Sequence, residues 1–163
     1  MAKKIIDMKP YYIGGKPKWI DVKKFLKGRR ILIHPNENDV IMKTPPTGII
    51  MGFLNHAAAL EYFKDDKDIR YSILILVKLD PPIDIIDYYD KKLHLENIIL
   101  RTPYFYDTFK ELIETGKTES YAFCIDGFAK GVNPWDINLD WINEVFAGNI
   151  FTIAKEVDIE IIE

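Results

Sequence analysis

Residues 76–97 read LVKLDPPIDIIDYYDKKLHLEN, and the fold turns on the conformation the chain takes after Pro81 and Pro82. The run leading into them, IRYSILILVKL (69–79), alternates. Ile69, Tyr71, Ile73, Ile75, Val77 and Leu79 share one face, while Leu74 and Leu76 make the other apolar as well. That pattern predicts a central strand covered on both sides. Two prolines in succession withdraw backbone donors and end such a strand, and proline is tolerated in a first helical turn, so a helix is expected from Pro81 to Tyr89 or Leu93. On that helix Asp84, Asp87, Asp90 and His94 fall three, three and four residues apart, roughly along one face. Asp80 stands at the strand exit. An oxygen-rich row of this kind suits magnesium or manganese, with Asp80, Asp84 and Asp87 as ligands and Asp80, Asp87, Asp126 and His94 as the groups of a phosphoesterase or nuclease. The same residues are also the ordinary wet side of an amphipathic helix whose core side is Ile83, Ile86 and Leu93. On a wet face Asp80 and Asp84 lie near the positive end of the helix dipole, and Asp87 pairs with Lys91. The spacing matches no specific metal motif, and the wet face requires no convergence of distant groups.

The elements on either side are short and mixed. Val22, Phe25 and Leu26 before Gly28 make a brief helix; RRILIH (29–34) is a strand with a turn after it; KTPPTG (43–48) interrupts before a second strand at Ile49–Phe53. Asn55 caps an alanine-rich helix. ENIIL (96–100) is a short strand. The stretch TPYFYDTFKELIETG (102–116) carries the clearest helix signals, with Thr102 as cap, Pro103 in the first turn, Gly116 past the end, and Phe105, Phe109, Leu112 and Ile113 as its buried stripe. A strand over 119–125, a glycine-containing loop, a helix over 135–148 and one or two closing strands complete the chain. Nothing repeats, and no linker divides the sequence. The expectation is one α+β domain over 1–163, with a mixed or mainly antiparallel sheet around a strand near 69–79, short covering helices, and a basic, partly irregular arm over 1–20.

At 163 residues the chain is long enough to bury a real core. No stretch reaches membrane-spanning length without charges, and one cysteine builds neither an internal disulfide nor a cysteine zinc site, so a cytoplasmic protein without a membrane association is expected. Charge is unevenly placed. Residues 1–30 hold ten Lys or Arg against two Asp, whereas residues 31–163 hold twelve against twenty-three Asp or Glu. The basic segment, with Lys23, Lys24, Arg29 and Arg30, suits a phosphate backbone under the nuclease reading; the acidic remainder of the same protein is the simpler partner, since it needs no further hypothesis.

Other groups carry weaker signals. The three histidines show no paired metal spacing. Cys124 between apolar neighbours reads as a buried strand residue rather than a nucleophile. Asp126 at a strand end before Gly127 is a partner for Asp80 if the two strand ends meet. Tyr11, Tyr12, Tyr88, Trp135 and Trp141 offer aromatic binding surface. A non-enzymatic binding or inhibitor-like protein, using an acidic, tyrosine-rich surface against another protein and needing no cofactor, asks the fewest residues to converge. The alternatives are the magnesium- or manganese-dependent phosphoesterase, with nucleic acid as partner, and a structural subunit of a homo-oligomer or larger assembly.

Overall fold

The structure, a computed structural model, describes residues 12–13, 16–17, 24–36, 45–54, 73–86, 90–102, 105–134 and 146–162. In the N-terminal arm β1 (Tyr12–Ile13) pairs antiparallel with β2 (Lys16–Pro17), the hairpin option for that segment. Residues 24–26 are helical and bury Phe25 and Leu26. The main architecture is a closed antiparallel barrel of six strands: β3 (Arg30–Pro35), β4 (Thr47–Leu54), β5 (Ile73–Ile86), β6 (Lys92–Thr102), β7 (Phe123–Phe128) and β8 (Ile150–Ile161). Each strand pairs with the next in sequence. Because their number is even, the last runs antiparallel to the first and closes the sheet through five rungs, from Ile31 opposite Ile161 to Pro35 opposite Val157. Closure leaves no strand as an edge along the barrel wall.

A barrel this narrow has an interior only wide enough for side chains, and branched aliphatic groups fill it. Ile31, Ile33, Ile50, Ile75, Val77, Ile98, Leu100, Val157 and Ile159 all have no exposed surface. The alternation that delivers them is plain in β3, where Ile31 and Ile33 are buried between half-exposed Arg30, Leu32 and His34. The high isoleucine content has its use here, since β-branched side chains suit a pleated, packed surface. Gly48 permits a close approach: a Cβ there would lie 2.6 Å from Val77 Cγ1 and 2.8 Å from the Lys78 carbonyl oxygen.

The outer side of the wall is also covered in part. Leu74, Leu76 and Ile99 are buried there, with Ile150 and half-buried Phe128 packed against Leu74 and Ile99. The central strand is therefore apolar on both faces, as its sequence requires.

Between β6 and β7 lies helix α1 (Phe105–Thr115). Its Phe109, Leu112 and Ile113 join the barrel core, and the Phe109 ring meets Phe123 edge-on with centroids 6.2 Å apart. Gly116 ends the helix at φ +81°, with its N–H donated to the Leu112 carbonyl at 2.8 Å, a left-handed cap that a side chain would strain. Thr102, expected as the helix cap, is instead the last residue of β6; it is fully buried and its hydroxyl lies 3.5 Å from that of Thr108.

The largest departure from expectation lies at the prolines. No helix starts at Pro81. Strand β5 runs on to Ile86 and pairs with β6 from Ile83 opposite Leu95 to Ile86 opposite Lys92. Between the rungs Lys78–Asn97 and Ile83–Leu95, residues 79–82 stand opposite Glu96 alone, so both prolines occupy a wide bulge where no ladder hydrogen bond is asked of them. The Asp80–Pro81 peptide is cis. Beyond the bulge a period of two returns: Ile85 and Leu95 are buried in the main core and Ile83 and Leu93 pack against it, while Asp84 and His94 point outward. Asp90, at φ +62°, adopts the left-handed conformation that aspartate tolerates at a turn. The helix expected over 55–66 and all but the last three residues of the one expected over 135–148 lie outside the described residues.

Candidate functional site

Strand lengths alone create a long feature outside the barrel wall. Strand β4 pairs with β5 from Leu74 to Leu79, and β7 pairs with β6 from Ile98 to Arg101. The remainder of both strands, from Asp80 to Ile86 and from Lys92 to Asn97, is a two-stranded ribbon running past these last rungs. Its inner face continues the core through Ile83, Ile85, Leu93 and Leu95. Among the described residues, no strand pairs with the outer edge of β6 between Lys92 and Asn97.

A cleft of about 730 Å³ borders that edge. One wall is Lys91 through Asn97; the other is the connection leaving β7, Phe128 to Val132, with Gly148 beside it. Its volume falls within the range of roughly 300–1,000 Å³ common for ligand clefts. Lys92 and Lys130 are both exposed and make no ion pair with any described residue. Close by in sequence to Gly148 stands Phe146, which at 84% is the most exposed large apolar side chain among the described residues.

Those of the singled-out carboxylates that lie among the described residues do not gather. Asp84 and His94 are directly opposite on the ribbon, Asp84 Oδ1 lying 2.8 Å from His94 Nδ1, with both side chains largely exposed. This is a cross-strand polar pair. Asp80 sits at the bulge, where its carbonyl accepts the Thr47 hydroxyl and its carboxylate lies 3.8 Å from Arg30 Nη1. Asp126 faces the outside of the β6–β7 wall opposite Ile99, is fully buried, and accepts the Arg101 Nε–H at 2.8 Å. Asp80 and Asp126 are thus held by different arginines rather than as one pair. No group of three or more potential metal-ligating residues occurs among the described residues. Asp87 lies outside them.

Of the basic residues expected to meet phosphate, Arg29 is laid over the Phe25 ring, 4.6 Å from its centroid, and donates Nε–H to the Phe25 carbonyl. Arg30 reaches Asp80, so part of the basic segment meets the acidic body of its own chain. Lys24 is exposed, and Lys23 lies outside the described residues. The aromatic candidates Tyr11, Tyr88, Trp135 and Trp141 also lie outside them, and Tyr12 is described only as backbone in β1.

A thiol and a carboxyl near the barrel are displaced from their ordinary values. Burial pushes the Cys124 thiol up, with Arg101 opposing and Asp126 and Glu156 adding, so it is a poor nucleophile. Burial also raises the Glu111 carboxyl on α1; a backbone hydrogen bond from Glu119 opposes the rise, and the charges of Asp158 and Glu119 reinforce it.

Sequence reasoning missed the cleft because its walls come from segments more than thirty residues apart. The available signals were the Lys91–Lys92 pair and Lys130 within a glycine-containing loop, and neither is specific. Among the described residues, no helix is long and apolar enough to cross a membrane. The chain matches no protein-family model, no curated protein and no solved structure.

Proposed function

We propose that this is a non-enzymatic binding protein that engages another protein through the β5–β6 ribbon, in the cytoplasm and without a cofactor. The observation that supports this reading is the β6 edge from Lys92 to Asn97, which runs beyond its pairing with β7 and borders an open cleft. An extended edge with unused backbone donors and acceptors is a template for a further strand, and proteins that do not use such an edge usually shorten or cover it. Exposed Phe146, close in sequence to Gly148 of the cleft, adds an apolar contact of the type enriched at protein interfaces.

The test is selection from a displayed library of random linear peptides against the full chain, then amide hydrogen exchange with the enriched peptides bound. Slowed exchange at residues 92–97 is the expected result. Failure to enrich any sequence, or protection confined to another part of the barrel, rejects the ribbon as the binding element. Magnesium- or manganese-dependent phosphodiester cleavage lost in Asp84→Ala, with folding intact, would replace it with the metal-enzyme reading.

A further inference from the structure

The chemistry of the cleft narrows the partner, and this inference rests on the ribbon reading above. We infer that the occupant is an extended peptide segment bearing Asp or Glu side chains, added as a strand along Lys92–Asn97. Four observations converge. The edge is about six residues long, roughly 20 Å at strand rise, which is enough for a ladder of several backbone hydrogen bonds. Cations outnumber anions along the lining even with Lys91, which has a partner of its own, set aside: Lys92 and Lys130 line the cleft with Glu96 as its one carboxylate among the described lining residues. His94 is already engaged by Asp84 across the ribbon. Lys92 and Lys130 come from the two different segments that line the cleft, so a strand laid along the β6 edge passes both segments, and its acidic side chains have an ammonium group to meet on each.

The opposite polarity is disfavoured on the same grounds. A lysine-rich segment would bring like charges together at both walls, and like-charge juxtaposition at an interface is a strong means of rejecting a partner. An anionic polymer lacking peptide groups would meet the lysines but leave the backbone edge unused. Backbone pairing supplies register and affinity; the lysines choose the charge class.

The experiment measures binding of three labelled heptapeptides to the full chain by fluorescence anisotropy at low salt. One alternates acidic residues with valine, one carries lysine at the acidic positions, and one is the acidic peptide with alternate backbone amides N-methylated. The acidic peptide should bind saturably and slow amide exchange at residues 92–97. The lysine peptide should not bind, and the N-methylated peptide should bind at least about tenfold more weakly, because it cannot complete a ladder. The double substitution Lys92→Glu and Lys130→Glu should weaken the acidic peptide about tenfold or more, whereas Lys110→Glu on α1 should leave it unchanged. The Lys→Gln pair serves the same purpose if charge reversal alters the circular dichroism spectrum.

Equal binding of the N-methylated peptide overturns strand addition, and binding of the lysine peptide overturns the acidic class. Concentration-dependent dimerisation of the free protein that protects residues 92–97 overturns both, by assigning the edge to a second copy. If the acidic peptide fails while library-selected peptides of another composition still protect residues 92–97, this inference falls and the ribbon reading stands. If no peptide protects that edge, both fall.

Discussion

Asp126 is fully buried in the wall of the barrel, and the Arg101 Nε–H at 2.8 Å helps to offset the cost of that burial. Removing one member of a buried pair typically costs about 3–5 kcal/mol because the other loses its counter-charge; exchanging both for apolar residues of similar size is far gentler. Arg101→Met should therefore lower the urea midpoint much more than the double variant Arg101→Met, Asp126→Leu does, and similar midpoints for the two would argue that the pair contributes little. The sequence marks Asp126 as a strand-end carboxylate but gives no sign of its partner, because Arg101 comes from another strand and is brought alongside by a register that residue types do not encode. Gly48 presents the same problem in steric form. It comes directly after KTPPT and reads as a turn residue, yet it is buried in β4, where a methyl group would collide with Val77 and the Lys78 carbonyl. Gly48→Ala is expected to lose about 1–3 kcal/mol in equilibrium unfolding, the usual range for overpacking. A neutral result would mean that β4 and β5 can move apart.

Among the elements, α1 was legible and the ribbon was not. The buried stripe and terminal glycine of the helix are local signals, and local signals survive folding. Residues 81–93 carry conflicting ones: the paired prolines suggest a strand end, and Asp84, Asp87 and Asp90 suggest helical spacing, while Ile83, Asp84 and Ile85 carry a period of two for only three residues. Pairing with Leu93, His94 and Leu95 decides the outcome, and a bulge removes the penalty for the prolines. The packing of α1 also carries a pH dependence. Glu111 has its carboxyl raised above the ordinary 4.5, chiefly by burial, so the folded protein retains that proton over a range in which the unfolded chain has released it. Stability from this group therefore falls as pH rises from about 4.5 through the folded value. Glu111→Gln should melt progressively higher relative to the parent as pH is raised from 4 toward 7, with the two converging at the acid end. A gap of constant size, or one that narrows as pH rises, would contradict the assignment. The loop after the helix is held separately: Asp158 accepts hydrogen bonds from the Thr118 hydroxyl and the Tyr121 N–H, both at 2.7 Å.

For the protein as a whole, the sequence conveys antiparallel neighbours and one domain's worth of apolar strands, but not closure. Closure depends on an even strand count and on the meeting of Ile31 with Ile161, a contact across nearly the full chain, and nothing near either residue announces it. The His34–Glu160 contact at 2.9 Å lies on the same seam. Strand β8 carries the consequence. It pairs with β3 and β7 together and supplies Ile153, Val157, Ile159 and Ile161 to the core. Without it, β3 and β7 would become open edges and the interior would be exposed along one side, so the loss would not be confined to one element. A chain ending at residue 149 should accordingly show no cooperative thermal transition and should self-associate, since exposed apolar edges template further pairing. Ile159→Ala, which keeps the seam and removes only side-chain volume, should retain a cooperative transition with about 2–5 kcal/mol less stability. The contrast between these two variants separates closure from packing. If the truncated chain melted cooperatively as a monomer, five strands would suffice for the fold and β8 would be an addition to it; if Ile159→Ala abolished the transition as well, core volume rather than the closed ladder would be the limiting quantity.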